Sequence, residues 1–206
     1  PSMTMKYVRP ELCQFTVPEG NLEAVVAAMR AAKEELTRQE QAYRRHLRRI
    51  RKYLPLRFRQ WISRHIYLHD AVVHGPTEQP SRLRRLKRFR GMCADTEQDS
   101  IHVAFDLHLY VDQRCSPENG KNLFVEAEHP AQAFVWLCYL GVLEYSQSQC
   151  EKMRRNSEGQ KLWLYDEVDI TRKNGERYPV HRILFSDGTI AEIVFRDFHC
   201  FEARLL

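Results

Sequence analysis

The chain has 206 residues, 43% of them hydrophobic and 29% charged, with a formal net charge of +5. That length can bury a sizeable core, and the composition is that of a globular protein rather than a disordered or fibrous one. No apolar run approaches the roughly 20 residues that a membrane helix needs, and the richest, 131–143, is too short to span.

The opening residues, PSMTMKYVRPEL, contain no apolar core of a signal peptide, so the expected location is the cytoplasm. Cys13, Cys93, Cys115, Cys138, Cys150 and Cys200 form no Cys-x-x-Cys and no zinc-ribbon spacing. Reduced, mostly buried thiols are expected. The charge is spread unevenly: residues 1–94 hold 20 Lys and Arg against 8 Asp and Glu, and residues 95–206 hold 12 against 19. The chain is therefore electrically polar along its length.

Pro18-Glu19-Gly20-Asn21 reads as a helix start, with Asn21 as cap and Glu23 in the first turn. A 4-3-4-3 rhythm follows through Leu22, Val26, Met29, Lys33, Leu36, Glu40, Tyr43, Leu47, Ile50 and Leu54. The filling residues favour helix, and Pro55 ends or kinks it. A helix over 22–54 would be roughly 50 Å long at about 1.5 Å per residue. The rhythm fits a coiled-coil seam and hence a homodimer through this helix. It also fits a core-facing stripe on a helix interrupted at Lys33 and Glu40.

Nine cations and no acid fall between 44 and 64: Arg44, Arg45, Arg48, Arg49, Arg51, Lys52, Arg57, Arg59 and Arg64. Without acids four residues away they lack the usual neutralisation along a helix. A second basic cluster spans Arg82–Arg90. Phosphate backbones, anionic lipid, an acidic protein face, or the chain's own acidic C-terminal half would each compensate them. Tyr53, Phe58, Trp61 and Phe89 interleave with the cations, as in some nucleic-acid binders. No helix-turn-helix, RNP or zinc-finger signature accompanies them.

Between the two basic clusters lies RHIYLHDAVVHG, with His65, His69, Asp70 and His74. On a helix, His65 and His69 would share a face and offer a metal site for a hydrolase. The β-branched Val72-Val73 and the following Gly75-Pro76 favour a strand. A strand holds His65 and His69 roughly 13 Å apart at about 3.3 Å per residue, so structural or surface histidines are the plainer reading.

From about residue 65 the period shifts towards two. Candidate strands are 66–74, 101–111, 122–128, 134–145, 161–170, 178–186 and 189–199. In 101–111, Ile101, Val103, Phe105, Leu107, Leu109 and Val111 alternate with His102, Asp106, His108 and Tyr110, the pattern of a half-buried antiparallel strand. Asp187-Gly188 predicts a two-residue hairpin turn. That turn pairs Phe185 with Ile190, Ile183 with Glu192 and His181 with Val194, and assigns Val180, Leu184, Ala191, Ile193 and Phe195 to the core face. On this register His181 and His199 lie on opposite faces. Asp166, Glu167 and Asp169 offer carboxylates, but one strand divides them between its faces. There is no Gly-rich phosphate loop, no Gly-x-Ser-x-Gly and no His-Glu-x-x-His.

Met5-Lys6-Tyr7, Leu68-His69-Asp70-Ala71, Trp163-Leu164-Tyr165-Asp166-Glu167-Val168 and the hairpin from His181 through Gly188 to Phe195-Arg196-Asp197-Phe198 together resemble a family of uncharacterised bacterial proteins. The resemblance covers most of 65–200 and, more loosely, the N-terminus. It implies helices followed by an antiparallel β domain, and it implies no activity. The basic run is heavier here than the family pattern suggests.

The expectation is an α+β fold. A long amphipathic N-terminal helix or helical arm (1–64) precedes an antiparallel β-sheet domain (65–206), a sandwich or open barrel of six to seven strands. The expected function is non-enzymatic binding of a macromolecule. The partner would be a protein met through the basic arm or the acidic β surface, the latter in the manner of immunity proteins that cover nucleases. One alternative is nucleic-acid binding through Arg44–Arg64 and Arg82–Arg90. The other is a metal-dependent hydrolase built on His65, His69, Asp70 and His74. No cofactor is expected.

Overall fold

A computed structural model describes residues 5–7, 22–64, 71–78, 99–109, 131–150 and 161–204. Helix α1 runs Leu22–Ile50, a single 3-10 turn covers Arg51–Tyr53, and α2 runs Leu56–Arg64. Glu23 in the first turn and Arg48 and Arg49 in the last suit the helix dipole. Pro55 sits between the helices, where its missing N–H and fixed φ stop the first and open the second. Eight strands follow: β1 Ala71–Thr77, β2 Ile101–Leu109, β3 Ala131–Leu140, β4 Glu144–Gln149, β5 Leu162–Lys173, β6 Glu176–Phe185, β7 Thr189–Val194 and β8 Asp197–Arg204. Among the described residues no helix is long and apolar enough to cross a membrane.

The strands form one antiparallel sheet in the order β4-β7-β6-β5-β1-β2-β3-β8. The expected helix-then-sheet α+β class is what the structure has, with an open sheet of eight strands among the described residues where six or seven were expected. Six of the seven predicted strands reach the described residues, and breaks inside two of them make eight. Gly141, at φ +56°, interrupts 134–145 between β3 and β4. A corner at Phe195-Arg196 divides 189–199 into β7 and β8, with the Arg196 N–H donating to Leu140 O. The predicted strand 122–128 lies outside the described residues.

The sheet curls into a trough around α2. Phe58 is fully buried, with ring centroids 5.3 Å from His181 on β6 and 4.8 Å from Phe198 on the far edge strand β8. Ile50, Leu54, Phe58 and Trp61 join Val73, Val103, Phe105, Leu137, Val168, Ile183 and Ile193 in one core. Burial of this shared apolar face is the main force holding helix to sheet. The first turns of α1 take no part in it. Leu22, Val26 and Met29, the opening members of the predicted seam, are 80%, 43% and 55% exposed.

The hairpin between β6 and β7 differs from the sequence expectation by one residue. Leu184 pairs with Ile190, Ile183 with Ala191, Arg182 with Glu192, His181 with Ile193 and Val180 with Val194. The Gly188 N–H donates to Phe185 O at 3.0 Å, and Gly188 takes φ +80°. The connection is thus a three-residue loop ending in a left-handed glycine, not a two-residue turn. Because side chains alternate, the slip exchanges the faces of β6. His181, Ile183 and Phe185 point into the trough with Ala191, Ile193 and Phe195, while Val180 and Leu184 lie on the outer face.

Strand β5 holds the sheet's weakest seam. It pairs with β1 only at Ala71–Trp163 and Val72–Leu162. Beyond that, α1 occupies the free edge, and the Tyr43 hydroxyl accepts the Val168 N–H at 2.7 Å. A register shift between Trp163 and Tyr165 bulges the strand. The extra residue reverses the alternation, so Trp163 and Asp166 share the inner face although they are three apart.

Candidate functional site

The bulge and the open seam produce a cleft between α1, α2 and β5, with a volume of about 680 Å³. Its walls include Lys33, Arg44, Arg48, Arg51 and Arg59 from the helices, and Trp163, Tyr165 and Asp166 from the strand. Arg44, Arg48 and Arg51 stand at i, i+4 and i+7 and so fall on one helix face. Arg45, Arg49 and Lys52 follow the adjoining face and are exposed. Arg57 turns to β8 and contacts His199. Arg64 closes α2. The sequence run is therefore divided, and four of its nine cations reach the cleft.

Among the described residues little of this charge is neutralised. Arg44 pairs with Glu40 at 2.6 Å. Among the described residues, Lys33, Arg48, Arg51 and Arg59 have no carboxylate partner. The Arg59 Nε is sealed from solvent without a hydrogen-bond partner. The acidic residues of β5 and β7 are engaged elsewhere. Glu167 accepts from the Lys6 and Tyr7 backbone N–H groups. Asp169 pairs with Lys6 and with His46, and Glu192 with Arg182 at 2.6 Å. Burial alone would raise the Asp169 carboxyl, but Lys6, the Ile170 N–H and His46 together hold it below its ordinary range.

Asp166 lines the cleft and ends a buried chain of hydrogen bonds. The His181 ring is fully buried among Phe58, Trp61, Trp163 and Tyr139. Its Nε2 lies 3.0 Å from Asp166 Oδ2, and its Nδ1 lies 2.7 Å from the Tyr139 hydroxyl. Trp163 Nε1 donates to Asp166 Oδ1 at 3.3 Å. Burial pushes the Tyr139 hydroxyl well above its ordinary value of 10.0, and Asp166 adds to the rise, so Tyr139 remains a donor. We assign the tautomer that satisfies every partner: Tyr139 donates to Nδ1, and Nε2–H donates to Asp166. Tyr43, also raised well above 10.0 by burial and by Asp166, keeps its proton beside the cleft.

Of the histidine cluster singled out in the sequence, His74 alone lies among the described residues. His65, His69 and Asp70 lie outside the described residues, as does the cluster Arg82–Arg90. His74 lies on β1, its Nε2 3.4 Å from Asp106. Among the described residues no group of three or more His, Cys, Asp or Glu is arranged to hold a metal. The Tyr139–His181–Asp166 chain was not visible in the sequence, because the hairpin slip and the β5 bulge are both needed to bring His181 and Asp166 to one face. No protein-family model matches the chain, and no curated protein matches it.

Proposed function

We propose that this chain is a binding protein for single-stranded nucleic acid, held in the cleft between α1, α2 and β5. The observation that carries the reading is that Lys33, Arg48, Arg51 and Arg59 line the cleft and meet no carboxylate partner among the described residues. An anion in the cleft would relieve the like-charge crowding of neighbouring cations such as Arg48 and Arg51. Phosphodiester backbones supply such an anion at regular spacing. The cleft has the volume of a ligand pocket, about 300–1,000 Å³. That suits an unpaired strand better than a duplex. The engagement of Glu167, Asp169 and Glu192 within the protein leaves less acidic surface for a basic protein partner. The reading thus keeps the expected non-enzymatic binding role and selects phosphate as the partner chemistry.

Fluorescence anisotropy with a labelled single-stranded oligonucleotide across a salt series tests it. With four unpaired cations engaged, log K against log salt should fall with a slope of about −2.8, roughly a 50-fold loss of affinity between 50 and 200 mM salt. The double variant Arg48→Gln/Arg51→Gln should reduce the slope by about 1.4. No binding at low salt, or a slope that the double variant leaves unchanged, would overturn the reading.

A further inference from the structure

A site built only for phosphate would not keep a carboxylate in its wall, because like charge repels the ligand. Asp166 is nonetheless in that wall, with 25% of its side chain exposed. The cleft's other carboxylate, Glu40, is held by Arg44. Asp166 meets no Lys or Arg among the described residues, and it is fixed from behind by His181 and Trp163. We propose that Asp166 determines base specificity by accepting the Watson–Crick edge of guanine, an inference that rests on the single-strand reading above.

The chemistry follows from lone pairs. An ionised carboxylate offers about four acceptor positions on its two oxygens. Here each oxygen takes one bond from the protein: Oδ2 from His181 and Oδ1 from Trp163. One position per oxygen remains, on the two adjacent oxygens of a side chain that lines the cleft. The matching ligand carries two adjacent donors. Guanine has them in N1–H and the 2-amino group. Adenine and cytosine present one amino group next to a ring-nitrogen acceptor, which would face the second oxygen unfavourably. Uracil presents N3–H between two carbonyl oxygens. A guanidinium or ammonium ligand also donates, but Lys33, Arg48, Arg51 and Arg59 repel a cation from the same cleft. A neutral base edge on a negatively charged backbone satisfies both halves of the site.

The test compares uridine decamers carrying one central guanosine, adenosine, cytidine or inosine, bound to the full chain at low salt. Inosine keeps N1–H and lacks the 2-amino group, so the comparison needs no protein variant. The guanosine decamer should bind about 5- to 150-fold tighter than the adenosine and cytidine decamers, with inosine between them. Asp166→Asn, which replaces one acceptor with a donor, should level all four and leave the salt slope in place. Equal affinities for the four decamers, or a guanosine preference that survives Asp166→Asn, overturns this inference and spares the single-strand reading. Failure of every decamer to bind overturns both.

Discussion

Phe58→Ala is the most direct test of how helix and sheet are joined. Phe58 is fully buried and meets four rings, those of Phe198 at 4.8 Å, Phe195 at 5.0 Å, His181 at 5.3 Å and Trp61 at 5.7 Å. Phe198 lies on β8 and His181 on β6, with Phe195 at the corner between β7 and β8, so the vacated space is walled largely by strands fixed in their ladders. Such a wall relaxes little, which places the loss in the upper part of the usual range for Phe→Ala, about 4–5 kcal/mol. For a chain of this length the melting temperature should fall by about 8–20 °C. Urea denaturation followed by tryptophan fluorescence reads it well, because Trp61 adjoins the cavity and Trp163 packs on Trp61. Phe58→Leu should cost less than half as much, since it leaves a smaller void. A loss below about 1.5 kcal/mol for Phe58→Ala, with an unchanged denaturant slope, would mean that α2 does not fill the trough as described.

Three further substitutions probe the surroundings of the cleft. Asp169, held below its ordinary 3.8, contributes stability that is fully present above about pH 4 and is lost as pH falls through its depressed folded-state value. Asp169→Asn should therefore lower the urea midpoint at pH 7 and converge with the parent protein towards the acid end, and a difference that does not shrink on acidification would contradict this. Tyr43→Phe removes the acceptor of the buried Val168 N–H and should cost about 1–3 kcal/mol; a neutral result would show that another group accepts that proton. At Gly75 an added Cβ would stand 2.8 Å from the His102 carbonyl oxygen, and φ is +115°. Gly75→Ala should lose about 1–3 kcal/mol, and retention of the parent's urea midpoint would mean that β1 shifts freely there.

The helices and the sheet class were legible because their signals are local and long. Pro55 marked the end of the first helix, and the alternation through Ile101, Val103 and Phe105 marked β2 and its inner face. The candidate site was half legible. The basic run gave the charge, but composition does not reveal that Glu167 and Asp169 turn to Lys6 and His46 rather than to Arg48 or Arg51. Two one-residue irregularities hid the rest. A three-residue loop in place of a two-residue turn reverses β6, and a bulge reverses the start of β5. Each changes the face of every side chain beyond it, yet neither leaves a hydrophobic period that a sequence window can detect.

The same irregularities explain why a cleft exists at this place. Strand β5 continues for ten residues past its last pair with β1, and an exposed edge of that length invites pairing with another chain. Here side chains satisfy it. Tyr43 takes the Val168 N–H, Asp169 takes the Ile170 N–H, and Glu167 ties down the Lys6-Tyr7 backbone. A helix stands farther from a strand edge than a strand does, because it meets the edge through side chains rather than backbone bonds. That added separation is the cleft, and its width follows from α1 replacing a strand beside β5. The stability of the edge and the capacity to bind are therefore coupled through Tyr43. A ligand that fills the cleft should protect the Val168 amide against hydrogen exchange even though it makes no contact with that amide.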